Sequence, residues 1–349
     1  MKKSLLATTA LAALGAVAVA GSASAAERIS IGVGGYMEQW FGYVDNDDSV
    51  VGNRDGFNNV SDGEIHFTGE TTLDNGLTFG VNVQLEAQTE GDQIDEQYAY
   101  IEGSFGRFLI GSENSAAYLM HYGIPSFGVG NDSGDHTNWI AGMDFTGHRT
   151  NGRGPDNDSE KITYFTPRFY GFQVGASYVP ELAQDADAPP RGVAGARNDA
   201  FAVAANFNRS FNDFTLRASA GYMDFGEHVG PDVESYQFGL QLGYAGFTLA
   251  GTYGEEDRVN AAQVFTDTQE TYGVAVTYAT GPFGVSLNWI GSERDGPGVD
   301  IDQDAFELGG RYTLGPGVEA RGSLLYGERE AAVDLAEGFA VVGGIRLVF

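Results

Sequence analysis

The sequence predicts an all-β protein, a 16-stranded antiparallel transmembrane β-barrel, and three observations support that prediction. Apolar and polar residues alternate with period two along most of the chain. Tight turns alternate with longer, acidic connections. Aromatic residues fall near both ends of the alternating segments, on their apolar side.

Period-two alternation marks each predicted strand. In "LTFGVNVQLEA", apolar residues from Leu77 to Leu85 form one face, and Thr78, Asn82 and Gln84 lie on the other. Successive side chains of a strand point to opposite faces, so each segment has one apolar and one polar face. The predicted strands cover residues 27–44, 60–73, 76–89, 93–104, 106–113, 159–169, 171–181, 199–211, 213–226, 233–244, 246–258, 268–280, 282–294, 302–314, 317–330 and 338–349.

The connections between these strands are of two kinds. One kind is a tight turn of Gly, Asn, Asp or Pro, such as "DNG" at 74–76 and "LGPG" at 314–317, which suits a hairpin. The other kind is longer and acidic, as at 45–59, 114–158 and 295–301. Short periplasmic turns and long outer loops, over an even number of strands, are typical of a bacterial outer-membrane barrel.

The aromatic residues indicate which way the apolar faces point. One row lies beside the tight turns and a second lies near the other strand ends, on either side of a band of Val, Leu and Ala. The first row is Phe172, Phe214, Tyr244, Phe247, Phe283 and Phe349, and the second is Tyr178, Tyr222, Tyr236, Tyr253, Tyr272, Trp289 and Tyr326. Two such rows predict that the apolar face meets lipid and that the polar face lines a water-filled lumen. The alternative is a soluble β-protein with aromatic-rich strands.

The first 25 residues have the layout of a cleaved signal peptide. Lys2 and Lys3 precede a short run of Leu, Ala and Val, and Ala23-Ser24-Ala25 provides a small-residue cleavage site. We therefore expect residues 1–25 to be removed and residues 26–349 to form the barrel. Cleavage leaves 17 of the 19 basic residues against 48 acidic ones, a formal charge of −31, which excludes a nucleic-acid binder. The absence of cysteine excludes disulfides and thiol chemistry.

The segment "GFAVVGGIRLVF" alternates up to Phe349. A closed barrel has no edge strand, so we expect this segment to pair with "ERISIGVGGYMEQWF" near the N-terminus. An aromatic residue on the lipid face at the periplasmic rim fits that closure.

The chain resembles the Gram-negative general porins, of the sixteen-stranded trimeric kind found in alphaproteobacteria. The resemblance is carried by "DNGLTFGVNVQLEA", "AYIEGSFGRFLIGSENSAAY", "ITYFTPRFYGFQVGASYVPE" and the final Phe349, and it covers essentially all of residues 26–349. It implies an outer-membrane homotrimer with three water-filled pores for passive diffusion of small hydrophilic solutes. Phe349 also resembles the C-terminal address that the barrel assembly machinery reads.

The long segment after strand five, about residues 114–158, is expected to fold into the lumen as a constriction loop, as the corresponding loop of porins does. Its apolar residues need burial and would hold it against the inner wall. These residues are Tyr118, Leu119, Met120, Ile124, Phe127, Trp139, Ile140 and Phe145. Its acids Asp132, Asp135 and Asp144, with Glu113 at its root, are predicted to face the channel. The alternative is an exposed surface loop.

Porins place cations opposite this loop, and alternation puts several arginines of this chain on inward faces. Arg28, Arg346, Arg321 and Arg311 would lie on four strands that become neighbours when the barrel closes. Arg217 on strand nine is inward but stands elsewhere. We predict that all five line the pore constriction. The alternative is that these arginines pair with Glu307, Glu319 or Glu64.

The acidic composition predicts a mild preference for cations. Acidic outer loops are expected to meet lipopolysaccharide, and Ca²⁺ binding is left open, although no cofactor is expected. "DIDQD" at 300–304 spaces carboxylates like part of a calcium loop but lacks the glycine of the turn. Trimer contacts are expected at the small outward residues Gly69, Thr71, Ala99 and Gly103.

Three other functions are alternatives to a general diffusion channel. A substrate-specific channel for a sugar, peptide or ion is the main alternative, and an adhesin would need longer outer loops. An enzyme is not expected, because the sequence has no "GxSxG" or "HExxH" motif and its five histidines are scattered.

Overall fold

The computed structural model describes residues 28–46, 54–87, 93–131, 133–143, 158–182, 197–226, 232–259, 264–331 and 334–349. Its strands are β1 (Gly32–Asn46), β2 (Gly56–Thr72), β3 (Thr78–Glu86), β4 (Ile94–Gly103), β5 (Gly106–Ser112), β6 (Glu160–Phe165), β7 (Phe172–Glu181), β8 (Asn198–Phe211), β9 (Phe214–Asp224), β10 (Glu234–Tyr244), β11 (Phe247–Val259), β12 (Phe265–Thr280), β13 (Phe283–Gly296), β14 (Val299–Gly315), β15 (Val318–Ala331) and β16 (Asp334–Val348). A one-turn helix, α1 (Ala116–Leu119), and a 3₁₀ turn (Asp135–Asn138) lie between β5 and β6. Among these residues, no helix has the length and apolar character needed to cross a membrane.

The strands form one closed antiparallel barrel in which each strand pairs with its neighbours in sequence. β1 closes the ring with β16, in a register that runs from Tyr36 opposite Val348 to Asn46 opposite Gly338. Beyond that register, Gly35 and Phe349 exchange backbone N–H···O hydrogen bonds of 3.0 and 3.1 Å. The predicted pairing of the two ends of the chain is therefore confirmed.

The polarity of the barrel is the reverse of a soluble protein's. Along β10, Tyr236, Phe238 and Leu240 are exposed, whereas Ser235 and Gln237, which alternate with them, are buried. The same alternation of exposed apolar and buried polar residues runs through β13 and β14. An apolar outer surface matches a lipid environment, so the soluble alternative is excluded.

The aromatic residues form rows at both ends of this apolar surface. Beside the tight turns, Phe214 stacks on Tyr244 with ring centroids 4.4 Å apart. Near the opposite ends of the strands, Tyr253 packs against Tyr272 at 5.4 Å. The two girdles therefore lie where the sequence placed them, and they mark the two faces of the bilayer.

Some strands extend further than predicted. Residues 295–301 were expected to form an outer loop, but β13 ends at Gly296, β14 begins at Val299 and Asp295 pairs with Asp300. A loop was predicted for this segment because it is acidic. A strand that projects beyond the bilayer is hydrated, however, so it accommodates carboxylates without cost.

The wall of the barrel is low on one side. β5 has 7 residues and β6 has 6, whereas β14 has 17. A strand needs about 9–11 residues to cross a membrane. The low wall at β5 and β6 is therefore too short to cover the bilayer with strand alone.

The lumen and its inner loop

The inner loop, residues 113–159 between β5 and β6, runs along the inside of the barrel over its described parts. Four serine hydroxyls on the wall accept hydrogen bonds from its backbone N–H groups at 2.8 to 3.0 Å. In order along the loop, these pairs are Ala116 with Ser177 on β7, Tyr122 with Ser219 on β9, Phe127 with Ser286 on β13 and Val129 with Ser323 on β15. The loop therefore follows the inner wall through a wide arc from β7 to β15.

Apolar side chains of the loop pack against the same wall, as predicted. Trp139 and Ile140 are each 1% exposed and lie in one cluster with Trp40 and Leu325. Ile124 lies in a second cluster, whose wall side is made of small residues. Those wall residues are Ala250, Ala275 and Ala305, together with Ile290. Inward alanines leave the space that the loop side chains fill, so the exposed-loop alternative is excluded.

Two members of the predicted apolar set differ from the others. Leu119 is 41% exposed, whereas Ala116 and Ala117 of the same helix are buried. Phe145 lies outside the described residues.

A buried carboxylate, Glu307 on β14, holds the tip of the loop. Its Oε2 accepts hydrogen bonds from Ser126 Oγ (2.6 Å) and Asn288 Nδ2 (2.9 Å). Its Oε1 accepts from Ser323 Oγ (2.7 Å) and from the backbone N–H of Gly130 (3.1 Å). Two of these donors belong to the loop and two to the wall, so Glu307 joins them directly.

Three of the predicted arginines form a continuous wall on β14, β15 and β16. Arg321 donates from Nε and Nη2 to Glu319 Oε2, at 2.9 and 2.6 Å. Arg311 Nη1 lies 3.4 Å from Glu319 Oε1. Arg346 pairs with Glu38, and Arg321 Nη1 lies 3.7 Å from the same Glu38 oxygen. The arginines therefore line the lumen and are ion-paired at the same time.

The inner loop reaches this wall through an aromatic side chain. The Arg311 guanidinium carbon lies 4.4 Å from the centroid of the Phe127 ring. Phe127 in turn lies against Gly284, where a Cβ would come within 2.8 Å of the ring. The Phe127 ring at the loop tip therefore packs between Gly284 of β13, which has no side chain, and the Arg311 guanidinium, which stacks on the ring.

Acidic residues continue the lining from β1 onto β2. Glu38 stands opposite Asp62 in the register, and Tyr36 stands opposite Glu64. The Tyr36 hydroxyl lies 3.3 Å from Asp62 Oδ2 and 3.1 Å from Glu64 Oε1, so its one proton is shared between two carboxylates. His66 Nε2 lies 2.6 Å from the other Glu64 oxygen. These carboxylates carry more negative charge than the arginine wall neutralises.

Asp135 is the described loop acid that faces this group. Burial raises the pKa of its carboxyl to about 6, and the like charges of Asp62 and Glu38 add to that effect, while Ser133 opposes it with a 2.5 Å hydrogen bond. The carboxyl group of Asp135 on the loop therefore faces the carboxylates of β1 and β2.

The other predicted site residues lie apart from this group. Arg28 precedes β1, which begins at Gly32 rather than near residue 27, and it is exposed. Arg217 donates to Gln241 Oε1 at 3.3 Å and lies over the Tyr122 ring. Glu113 is buried at the loop root, where it accepts the Asn114 N–H at 2.7 Å. Asp132 and Asp144 lie outside the described residues.

Glu38 and Asp62 are lumenal residues that the sequence analysis missed. Alternation supplies the signal, because Glu38 has the parity of Tyr36 and Trp40, which also point inward. The four serines were missed for a different reason. In the sequence, an inward serine that accepts a hydrogen bond from the loop cannot be distinguished from any other polar residue of the lumen.

Two groups of carboxylates near the outer end of the barrel have the spacing of metal ligands. In each, the ligand atoms lie within 4.8 Å of one another. The groups are Glu64, Glu86 and Asp95, and Asp95, Glu96 and Asp158. By contrast, residues 300–304, whose carboxylate spacing resembles part of a calcium loop, lie in strand β14.

His121 lies between two hydroxyl groups of the barrel wall. His121 is half-buried in the inner loop, where Ser219 Oγ lies 3.4 Å from Nδ1 and Thr252 Oγ1 lies 3.2 Å from Nε2. Burial lowers the pKa of His121 to about 4. A neutral imidazole between two hydroxyls holds the loop in place. His148 and His228 lie outside the described residues.

A closed barrel with an apolar belt, an inward loop and a charged lumen defines a channel protein of the outer membrane. A family model described as a Gram-negative porin matches residues 7–332. The chain therefore belongs to the Gram-negative porin family and resides in the outer membrane of a Gram-negative bacterium.

Solved structures agree with that assignment at the level of the fold. An anion-selective porin from Comamonas acidovorans is 17% identical, with a TM-score of 0.65, over 92% of this chain and 100% of that one. OmpT of Vibrio cholerae, in its trimer form, is 16% identical with a TM-score of 0.63, over 93% and 100%. OmpF of Salmonella typhi, in a complex with daunomycin, is 13% identical with a TM-score of 0.61, over 93% and 100%. No curated protein matches the chain.

Proposed function

We propose that the protein is a general diffusion channel for small hydrophilic solutes and ions, that it is mildly cation-selective and that it has no catalytic activity. The balance of charge beside the inner loop carries this proposal. Three arginines there, Arg311, Arg321 and Arg346, face the carboxylates of Glu38, Asp62, Glu64, Asp135 and Glu319. These eight groups, five carboxylates and three cations, have a net formal charge of −2, and the buried Glu307 at the loop tip is an additional carboxylate.

A net negative lining favours cations because it lowers their electrostatic free energy in the pore and raises that of anions. The ion pairs of Glu38 and Glu319 keep the preference mild, since they neutralise most of the field locally. The structural neighbour from Comamonas acidovorans is described as anion-selective. A similar fold can therefore carry anion selectivity, so we propose that the lining residues of each chain, rather than the fold, decide the sign.

The experiment is a reversal-potential measurement on the refolded protein in a planar bilayer, across a potassium chloride gradient. We expect large ohmic conductance steps and a small potential of the sign that indicates potassium preference. A potential of the opposite sign would contradict the proposed selectivity but not the channel. Folded protein without conductance steps would contradict the channel itself.

We also propose that the protein is a homotrimer. The low wall at β5 and β6 supports this, because strands of 7 and 6 residues leave part of the bilayer thickness to be covered by something other than strand. The small outward residues Gly69 and Gly103 do not carry the proposal. Gly69 is covered by Ile29 and Ile31 of the same chain, and Gly103 by Phe105 and Leu77. Migration as a monomer in mild detergent without heating would contradict the trimer.

Three further partners belong to the same proposal. Phe349, at the periplasmic rim and 62% exposed, is proposed as the contact with the barrel assembly machinery. Acidic outer segments are proposed to meet lipopolysaccharide. Ca²⁺ is proposed to bind at Asp95, Glu96 and Asp158, and a melting temperature that does not change between Ca²⁺ and chelator would contradict that site.

A substrate-specific channel remains the second candidate function, and one observation favours it. A cavity of about 620 Å³ opens beside the inner loop, with charged and aromatic side chains in its lining.

A further inference from the structure

Arg107 on β5 differs from the arginines of the opposite wall. Each of those arginines has a carboxylate partner. Arg258 and Arg294 pair with Asp267. Arg311 and Arg321 pair with Glu319, and Arg321 and Arg346 pair with Glu38. Within the described chain, no carboxylate lies at ion-pair distance from Arg107, and its buried Nε–H has no hydrogen-bond acceptor. A cation in this position retains its capacity to bind an anion.

The Arg107 guanidinium is held in place by stacking. Its carbon lies 4.0 Å from the centroid of the Tyr100 ring. The Tyr100 hydroxyl donates a 2.7 Å hydrogen bond to Glu70 Oε2, which orients the ring. The ring lies flat across Gly80 of β3, where any side chain would overlap it. Gly80, Tyr100 and Arg107 thus form a layered stack in which the Tyr100 ring covers one face of the guanidinium.

The cavity of about 620 Å³ lies at this edge. Its volume is in the range of small-molecule binding sites, about 300–1,000 Å³. Apolar and aromatic side chains form one part of the lining, including Leu119 and Tyr122 of the inner loop and Phe165 of β6. The exposure of Leu119, which is unusual among the apolar loop residues, places it on this cavity.

The cavity also has an acid beside Arg107. Glu102 of β4 stands directly opposite Arg107 in the strand register, and both side chains line the cavity. In the part of the chain that the structure describes, the two side chains do not form an ion pair. Adjacent but separate positive and negative groups match a solute that carries both charges on one carbon.

We propose that this cavity is a binding subsite for zwitterionic amino acids with apolar side chains. Arg107 receives the carboxylate through the edge of its guanidinium, and Glu102 receives the ammonium group. Leu119, Tyr122 and Phe165 contact the apolar side chain. The proposal rests on the proposed channel function, because the subsite lies on the diffusion path and acts on what crosses it.

The test uses phenylalanine as the probe and single-channel recording of the refolded full chain. 3-Phenylpropionate lacks the ammonium group and phenethylamine lacks the carboxylate, so the three probes separate the two charges. We expect phenylalanine to interrupt the potassium chloride current in a concentration-dependent way, and the two analogues to do so at least about tenfold less well. Arg107→Gln should weaken the phenylalanine effect by at least about tenfold.

The matched control is Arg209→Gln, which removes the same charge from an exposed position at the periplasmic end of β8. It should leave the phenylalanine effect unchanged. Glu102→Gln should weaken phenylalanine but not 3-phenylpropionate. A stronger phenylalanine effect in Glu102→Gln would mean that Glu102 only competes for Arg107, and it would overturn the zwitterion assignment.

Two other outcomes would overturn the proposal. One is a steady current that phenylalanine does not affect, which leaves the channel function intact and removes the subsite. The other is an equal phenylalanine effect in wild-type protein and Arg107→Gln. Folded protein without any current would instead contradict the proposed function itself.

Discussion

Removal of Glu307 should loosen the tip of the inner loop and make the channel noisy. Glu307→Ala deletes the acceptor for four hydrogen bonds, two of which come from the loop through Ser126 and Gly130. A hydrogen bond to a charged group contributes about 1.5–3 kcal/mol. The two loop bonds therefore contribute about 3–6 kcal/mol to holding the tip against the wall.

Water that enters the vacated space will restore part of this loss, because it offers the stranded donors new acceptors. We expect the free energy that holds the tip to fall by about 2–3 kcal/mol, which raises the population of displaced tips by about 30- to 150-fold. The other serine anchors, Ser177 and Ser219, are untouched, so the loop should remain inside the barrel.

The assay is single-channel recording in a planar bilayer, with the distribution of conductance levels and the voltage of closure as readouts. Glu307→Ala should show additional conductance levels and closure at lower voltage. Glu307→Gln should act in the same direction, because its amide N–H₂ would face donors where the carboxylate oxygen accepted from them. Glu293→Ala, an exposed acid on β13, is the control for charge loss alone.

One result would refute this reasoning. If both Glu307 variants fold, as judged by heat-dependent gel migration, and record like the wild-type protein, the carboxylate does not hold the loop.

Three further predictions concern charge and assembly. Because the pKa of Asp135 is raised to about 6, this carboxylate is charged at pH 7 and neutral at pH 5. The reversal potential should therefore lose part of its cation preference over that interval, and the loss should be absent in Asp135→Asn. Arg321→Ala with Arg346→Ala removes two cations beside paired acids, so cation preference should rise; an unchanged reversal potential would contradict the lining role. Phe349→Ala keeps the backbone bonds that close the barrel, so the unfolding free energy of refolded protein should change by about 1 kcal/mol or less. Its yield in the outer membrane should fall, and a normal yield would count against the assembly role.

The strand architecture could be predicted from sequence because it depends on local alternation. Along β10, each exposed Leu or Phe and each buried Ser or Gln follows from the two-residue period of a strand. The pairing of the last strand with the first also followed, since a barrel without closure would leave an edge inside the membrane. The same rule failed at 295–301, because sequence does not show where the bilayer ends and water begins.

The lumenal site was predictable only in part, because its contacts join residues that are far apart in sequence. Parity placed Arg311, Arg321 and Arg346 on one inner wall. Their neutralisation depends on the register, however, which brings Glu38 next to Arg346 over a separation of 308 residues.

The sequence alone determined that this chain is a lipid-facing barrel with a long segment after the fifth strand, because alternation, turn composition and aromatic placement are local properties. Only the tertiary structure decided how the lumen is charged and where the inner loop lies. Ser286 and Glu307 hold that loop from strands that follow it by more than 150 residues. They can hold the loop because closure of the barrel brings these late strands next to it. The two-residue period of the sequence does not show which strands become neighbours of the loop.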